Sequence, residues 1–177
     1  MRCLQLESEL ENLCGTGYDQ YPISPQTSPP PKGYNCIAYA AGKTDCWWWP
    51  HPSKFLYYWP PHLPREQVGF ETIGNFVSAF EWLGYKKCSN GKLKNGIEKV
   101  AIFTIANIPK HGARQLESGV WTSKCGKLED IQHETLFAVE GRAYGAAVVF
   151  LHRRRPRNFF VCKFGEFKLK VGFGIPC

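Results

Sequence analysis

The chain has 177 residues, 44% hydrophobic and 15% aromatic, which suits one globular core and excludes a disordered polymer. No apolar run approaches the roughly 18 residues that a membrane-spanning helix needs. The formal charge is +7, and the 8 cysteines are scattered without CxxC or paired-ligand spacing, which argues against structural zinc.

The first residues, Met1 to Glu7, lack the apolar core of a signal peptide, so the expected compartment is the cytoplasm, without disulfides. Delivery elsewhere would need a non-classical route. Leu4, Leu6, Leu10 and Leu13 among Glu7, Glu9 and Glu11 predict a short amphipathic helix that Gly15 ends. Residues 15–33 read as an irregular loop whose prolines (Pro22, Pro25, Pro29, Pro30, Pro31) restrict the chain. An alanine-rich helix follows, with Asn35 as N-cap and Gly42 as its left-handed stop. Cys36 lies in its first turn, where the positive helix end favours thiolate over thiol. A lone cysteine is more often a buried small side chain, so a reactive reading needs a histidine downstream.

Cys46 to Pro64 is dense in aromatics and prolines and has neither helical nor strand period. Trp48 and Trp49 could wall a substrate groove, or the rings could form a lid over the first helix. No basic residues interleave the tryptophans, which disfavours base stacking. Thr72 then starts a helix in which Ile73, Phe76, Val77, Phe80 and Leu83 share one face and Gly84 is the stop. Residues 88–97 hold two turn signals. Val100–Ala106 reads as a central strand buried on both faces, followed by a turn over 107–110 and a strand over His111–Leu116. Val120–Lys124 returns as a hairpin partner, Gly126–His133 is a loop or short helix, and Tyr144–His152 is another strand. Asn158–Lys163 and Glu166–Val171 form a terminal hairpin. Helices first and antiparallel strands later predict an α+β domain.

Charge is unevenly placed. Through Glu140 there are 14 Lys/Arg and 14 Asp/Glu; beyond it there are 8 against Glu166 alone. This basic end is either the solvated face of the hairpin at 156–177 or a patch for an acidic partner. No nucleic-acid motif accompanies it, so nucleic acid is the least favoured partner.

His111 opens a strand after the Pro109 turn and is the histidine placed to meet Cys36. A thiolate–imidazole pair could attack a carbonyl and return the proton to the leaving group. His51 and His62 lie in the aromatic segment, and His152 begins the basic run.

Several motifs together resemble an uncharacterised, mostly bacterial domain family over residues 34–155. They are Asn-Cys-Ile-Ala-Tyr-Ala at 35–40, Trp-Trp-Trp-Pro at 47–50, His-x-Ala-Arg at 111–114, Trp-Thr-Ser-Lys at 121–124 and Asp-Ile-x-His at 130–133. More distantly, the element order with Cys36 and His111 is similar to that of papain-like, NlpC-type cysteine peptidases and amidases. That resemblance implies a single domain over 1–177 with a papain-like core, in which a helix bearing the nucleophile packs on an antiparallel sheet. It implies a hydrolase or acyl-transfer enzyme acting on a peptide or protein, without metal or cofactor. Ser123 matches the third catalytic position, with Asp130 and His133 as competitors. The oxyanion donor would be the Cys36 N–H, helped by Asn35 or Tyr34, and Arg114 and Lys124 would flank the cleft. The rival expectation is a binding module that lost its chemistry and holds its partner through the aromatic segment and the basic end.

Overall fold

Strand-forming sequence dominates from Lys86 to Arg154, and the computed structural model folds that stretch into six strands of one antiparallel sheet. The structure describes residues 23–25, 33–53, 56–64 and 71–155. The strands are β1 (Ile23–Pro25), β2 (Lys86–Cys88), β3 (Ile97–Ile105), β4 (Ile108–Gln115), β5 (Trp121–Lys124), β6 (Asp130–His133) and β7 (Ala146–Arg154). Their order across the sheet is β1-β6-β5-β4-β3-β7-β2, every pair antiparallel. β3 is central and is buried from Glu98 through Thr104; the apolar run predicts this for Val100–Thr104, whereas Ile105 and Ala106, expected to be buried as well, are exposed where the strand runs into its turn. The β3–β4 turn is tighter than expected. Ala106 and Asn107 both take positive φ, the two-residue hairpin geometry, so the strand resumes at Ile108 rather than after Lys110. Pro109 sits where the β3–β4 register shifts, the kind of place a residue without an N–H can occupy in a sheet.

Two helices lie on one face of the sheet. Helix α1 (Cys36–Ala40) rests on β4 and β5, and α2 (Ile73–Trp82) touches β2, β4 and β7. The Asn35 side chain caps α1 by accepting the Ala38 N–H at 3.1 Å, and Thr72 caps α2 through the Asn75 N–H. α1 stops after five residues. Gly42 takes φ +77°, its N–H reaches the Tyr39 carbonyl, and the Lys43 N–H reaches the Ala38 carbonyl, a paired closure that satisfies the last carbonyls.

These elements overturn the expected α+β, papain-like core. Among the described residues only α2 exceeds seven residues, so the domain is β-rich, and the short helix carrying Cys36 is a single capped turn. The stretch expected as a loop or helix at 126–133 contains β6, which pairs with β5, because Ile131 alternates with polar neighbours and fits the buried side of a sheet. β2 and the short 3₁₀ turn Leu136–Val139 are further elements that the periodicity did not predict. β1 interrupts the proline-rich stretch that reads as a loop. The expected N-terminal helix and the hairpin at 156–177 lie outside the described residues. Cys46 is disulfide-bonded, against the expectation of no disulfides. No described helix is long and apolar enough to cross a membrane.

The sheet separates two cores. On the helical side Ile37, Ala40, Trp48, Phe76, Phe80, Val100, Ile102 and Leu151 pack together. On the other, Ala101, Phe103, Ala113, Trp121, Ile131, Val139 and Tyr144 do so. One buried carboxylate ties the end of the sheet to α2. Glu98 accepts from the Tyr85 hydroxyl and from Arg153 Nε at 3.0 Å, and faces Arg155 at 3.7 Å; Arg153 also donates to the Leu83 carbonyl. Its removal leaves two guanidinium groups without their shared anion. Glu98→Ala is therefore expected to cost about 3 kcal/mol in urea denaturation, while the exposed Lys86→Ala stays near wild type.

Candidate functional site

Alternation along β4 decides where the expected catalytic residues fall. A side chain added at Gly112 would meet Ile37 Cδ1 at 3.1 Å and Ala40 Cβ at 3.3 Å, so this residue faces α1 and its missing side chain lets the helix sit close. His111, its neighbour, faces the other way. It pairs in register with Phe103 and meets that ring edge-on at 5.3 Å, and it stacks on Tyr144 at 3.9 Å. Both rings belong to the core on the far side of the sheet. Cys36 belongs to the helical side, its sulfur 4.0 Å from the Lys110 carbonyl. Thus the thiol and the imidazole of the expected pair project from opposite faces.

The other expected site residues divide along the same line. Ser123 pairs with Ala113 and Ile131 in register and therefore shares the His111 side, where its hydroxyl lies 3.3 Å from His133 Nε2. His133 Nδ1 bonds the Thr135 carbonyl at 2.7 Å, which makes it the donor and leaves Nε2 to accept from Ser123. Tyr34, Arg114, Lys124 and Asp130 gather with Cys36. The Tyr34 hydroxyl donates to Asp130 Oδ2 at 2.5 Å. Lys124 lies 5.8 Å from the Tyr34 ring centre, donates to the Leu128 carbonyl and is fully buried. Arg114 covers the Tyr39 ring at 5.5 Å.

The groups expected to form the oxyanion hole and the cleft are already engaged. Asn35 Oδ1 accepts both the Ala38 and Trp48 N–H groups, and its amide donates to the Trp48 carbonyl at 2.9 Å. It is a cap that also fastens the aromatic segment to α1. Trp48 is buried beneath that segment rather than lining a groove, and Trp49 donates to Glu71 at 2.8 Å and meets Phe76 edge-on. In the basic run, Arg153 and Arg155 turn inward to Glu98. Among the described residues no group of three His, Cys, Asp or Glu side chains is arranged to hold a metal.

Electrostatics follow burial. The Cys36 thiol is pushed up to about 11, because burial outweighs the N–H groups of Gly112 and Ile37 that would favour thiolate. The helix-end activation expected from sequence is therefore overridden. Burial likewise raises Asp130 above the ordinary carboxylate range, against the Tyr34 hydrogen bond, and lowers Lys124, against the nearby Asp130 charge. His111 is lowered to about 3 by burial first and His133 second, and neither of its ring nitrogens has a hydrogen-bond partner. Burial lowers His133 to about 4.

The aromatic segment carries the half-buried rings of Trp47, Trp49, Tyr57 and Tyr58. Its rings pack in pairs, Trp47 edge-on to Tyr57, and His51 with Tyr57 and Tyr58 with Trp82 tilted. Trp82 did not stand out in the sequence. Its signal is an aromatic outside the buried stripe of α2, which runs through Phe76, Val77 and Phe80.

Residues 25–152 match the family described as a domain of unknown function, DUF7689, and the chain belongs to that family. No curated protein and no solved structure matches.

The two buried histidines make stability depend on pH. Both are neutral in the fold below the 6.5 at which they protonate when exposed, so the unfolded chain binds more protons there. Their contribution is intact above pH 6.5 and declines as pH falls towards 4, by about 1.4 kcal/mol per unit for each. His111→Phe, which keeps the aromatic sandwich and removes an unpaired N–H, is expected to hold wild-type stability at pH 7.5 within about 1 kcal/mol. It should also flatten the acid decline by about half. His133→Phe, which loses two partners, should lower stability at both pH values. Urea denaturation at pH 7.5 and 4.5 distinguishes these outcomes.

Proposed function

We propose that this DUF7689-family chain is a non-catalytic binding module whose partner-facing element is the aromatic segment 47–64 together with Trp82. The observation that carries the reading is the position of Gly112 against α1, which turns His111 to the face opposite Cys36. A general base must lie within hydrogen-bond reach of the thiol it activates, directly or through one water. Here a sheet lies between them.

Three further features support the same reading. Burial keeps Cys36 protonated, at about 11. Asn35 and Tyr34, the candidate oxyanion donors, are committed to Trp48 and Asp130. Segment 47–64 carries half-buried rings and the exposed Leu56, and Asn35 holds it rigidly against α1. A braced aromatic surface suits recognition, because its rings bury large area with little ordering cost. Within the described part of the basic end, Arg153 and Arg155 are engaged by Glu98.

The test is the reactivity of Cys36. A thiol near 11 is thiolate in roughly one molecule in three thousand at pH 7.5. Iodoacetamide labelling, resolved by peptide mass, is expected to modify Cys36 at least about tenfold more slowly than the half-buried Cys88. Labelling of Cys36 faster than Cys88, abolished by His111→Ala, would establish a working pair and overturn the proposal.

A further inference from the structure

Two Asn-Gly pairs lie between β2 and β3, and the fold holds them differently. At Asn90–Gly91 the side-chain amide is engaged at both ends. Oδ1 accepts the Lys92 N–H at 3.0 Å and the Lys99 ammonium at 3.4 Å, and Nδ2 donates to Ser89 Oγ at 3.1 Å. Gly91 is wedged against aromatic rings: Trp121 lies 2.9 Å and Phe150 3.2 Å from where a Cβ would stand. Its carbonyl also accepts from Gln115 Nε2 at 3.0 Å. Asn95 and Gly96, by contrast, are both exposed. Among the described residues neither the Asn95 side chain nor the Gly96 N–H has a hydrogen-bond partner, and the Cβ position at Gly96 faces open space. Gly96 takes φ +70° in a turn closed by the Ile97 N–H on the Lys94 carbonyl at 3.0 Å. We propose that Asn95 is a site of spontaneous deamidation to isoaspartate and aspartate, and that the fold protects Asn90. This inference goes beyond the binding-module reading and is independent of it.

The chemistry uses only the chain and water. The Gly96 backbone nitrogen attacks Asn95 Cγ and loses its proton, and the side-chain nitrogen departs as ammonia, which closes a cyclic imide. Water then opens the ring. Breaking the bond from nitrogen to the main-chain carbonyl gives isoaspartate; breaking the bond to the side-chain carbonyl gives aspartate. One water enters for each ammonia lost, and nothing is oxidised or reduced. Glycine permits the attack because it has no side chain to obstruct the approach. The other described asparagines, Asn35, Asn75 and Asn107, precede Cys36, Phe76 and Ile108, whose side chains crowd it. To reach the imide, Asn90 must first give up its anchoring hydrogen bonds, whereas the Asn95 side chain has none to break. Asn95 also lines an open cleft of about 340 Å³ with Leu93, Lys94, Gly96, Glu117 and Arg155, which admits the water. The new carboxylate therefore arises in a cleft that already presents two cations.

The full chain is incubated at mildly alkaline pH in ¹⁸O-water, both folded and in urea. Its peptides are then resolved by mass spectrometry with fragmentation that separates isoaspartate from aspartate. In the folded chain Asn95 is expected to convert at least about tenfold faster than Asn90, which must break two or more hydrogen bonds first. In urea the two rates should converge, since both asparagines then precede an unconstrained glycine. The product at 95 should carry ¹⁸O and include isoaspartate, the mark of the imide. Asn95→Gln, at an exposed position, should remove the acidic form that ion exchange resolves, with an unchanged melting temperature. Folded-state conversion of Asn90 as fast as Asn95, or no conversion at 95, overturns the proposal. A tenfold difference that persists in urea, or a product at 95 free of isoaspartate, overturns it as well.

Discussion

Close contact between α1 and β4 at Gly112 is the constraint on which the rest of the domain depends. The helix is only five residues long and cannot hold itself together in water. It persists because Ile37 and Ala40 settle onto a strand position that has no side chain. Any side chain at 112 would lift the helix, and the Asn35 clamp on Trp48 would be pulled with it. Since successive strand residues face opposite ways, the same contact commits His111 to the far side of the sheet. Helix seating and imidazole placement are one geometrical event.

Polar groups buried on each face are organised around that division. On the helical side the Tyr34–Asp130 hydrogen bond and the Lys124 ammonium over the Tyr34 ring join the chain before α1 to the β5–β6 hairpin, and Lys124 also donates to the Leu128 carbonyl within that hairpin. Tyr39 adds a 2.9 Å hydrogen bond to Thr122, which fastens α1 itself to β5. On the opposite side His133 is satisfied by Ser123 and Thr135, whereas His111 is held by ring contacts alone. An imidazole without polar partners is a costly filler, which neither proton transfer nor hydrogen bonding explains here. Its flat ring fits the space between Phe103 and Tyr144.

Much of the local structure was legible in the sequence because it depends on neighbours a few residues apart. The caps at Asn35 and Thr72, the stops at Gly42 and Gly84 and the buried strand through Val100–Thr104 follow from backbone chemistry and periodicity. β6 was not legible, since Asp130–His133 is four residues long and half polar, and only its pairing with β5 makes it a strand. The papain-like architecture failed for a related reason. Element order records succession along the chain, whereas the relation of a thiol to an imidazole depends on which face of the sheet each residue takes. A one-residue change of register between Gly112 and His111 would exchange the two.

That period of two explains why contiguous motifs misled as units. In Trp-Thr-Ser-Lys, Ser123 turns to His133 while Lys124 turns to the Tyr34 ring, so the two never serve one cleft. Arg153 and Arg155 turn inward to Glu98 while Arg154 is exposed, so a run of three cations offers solvent one free guanidinium among the described residues. The three tryptophans divide in the same way, Trp48 inside and its neighbours half-exposed. Each motif therefore supplies a buried half that builds the fold and an outward half that meets solvent. Under the binding-module proposal recognition falls to the outward halves, which along the aromatic segment are the half-buried rings of Trp47, Trp49, Tyr57 and Tyr58. Such rings contribute contact area by stacking at low ordering cost.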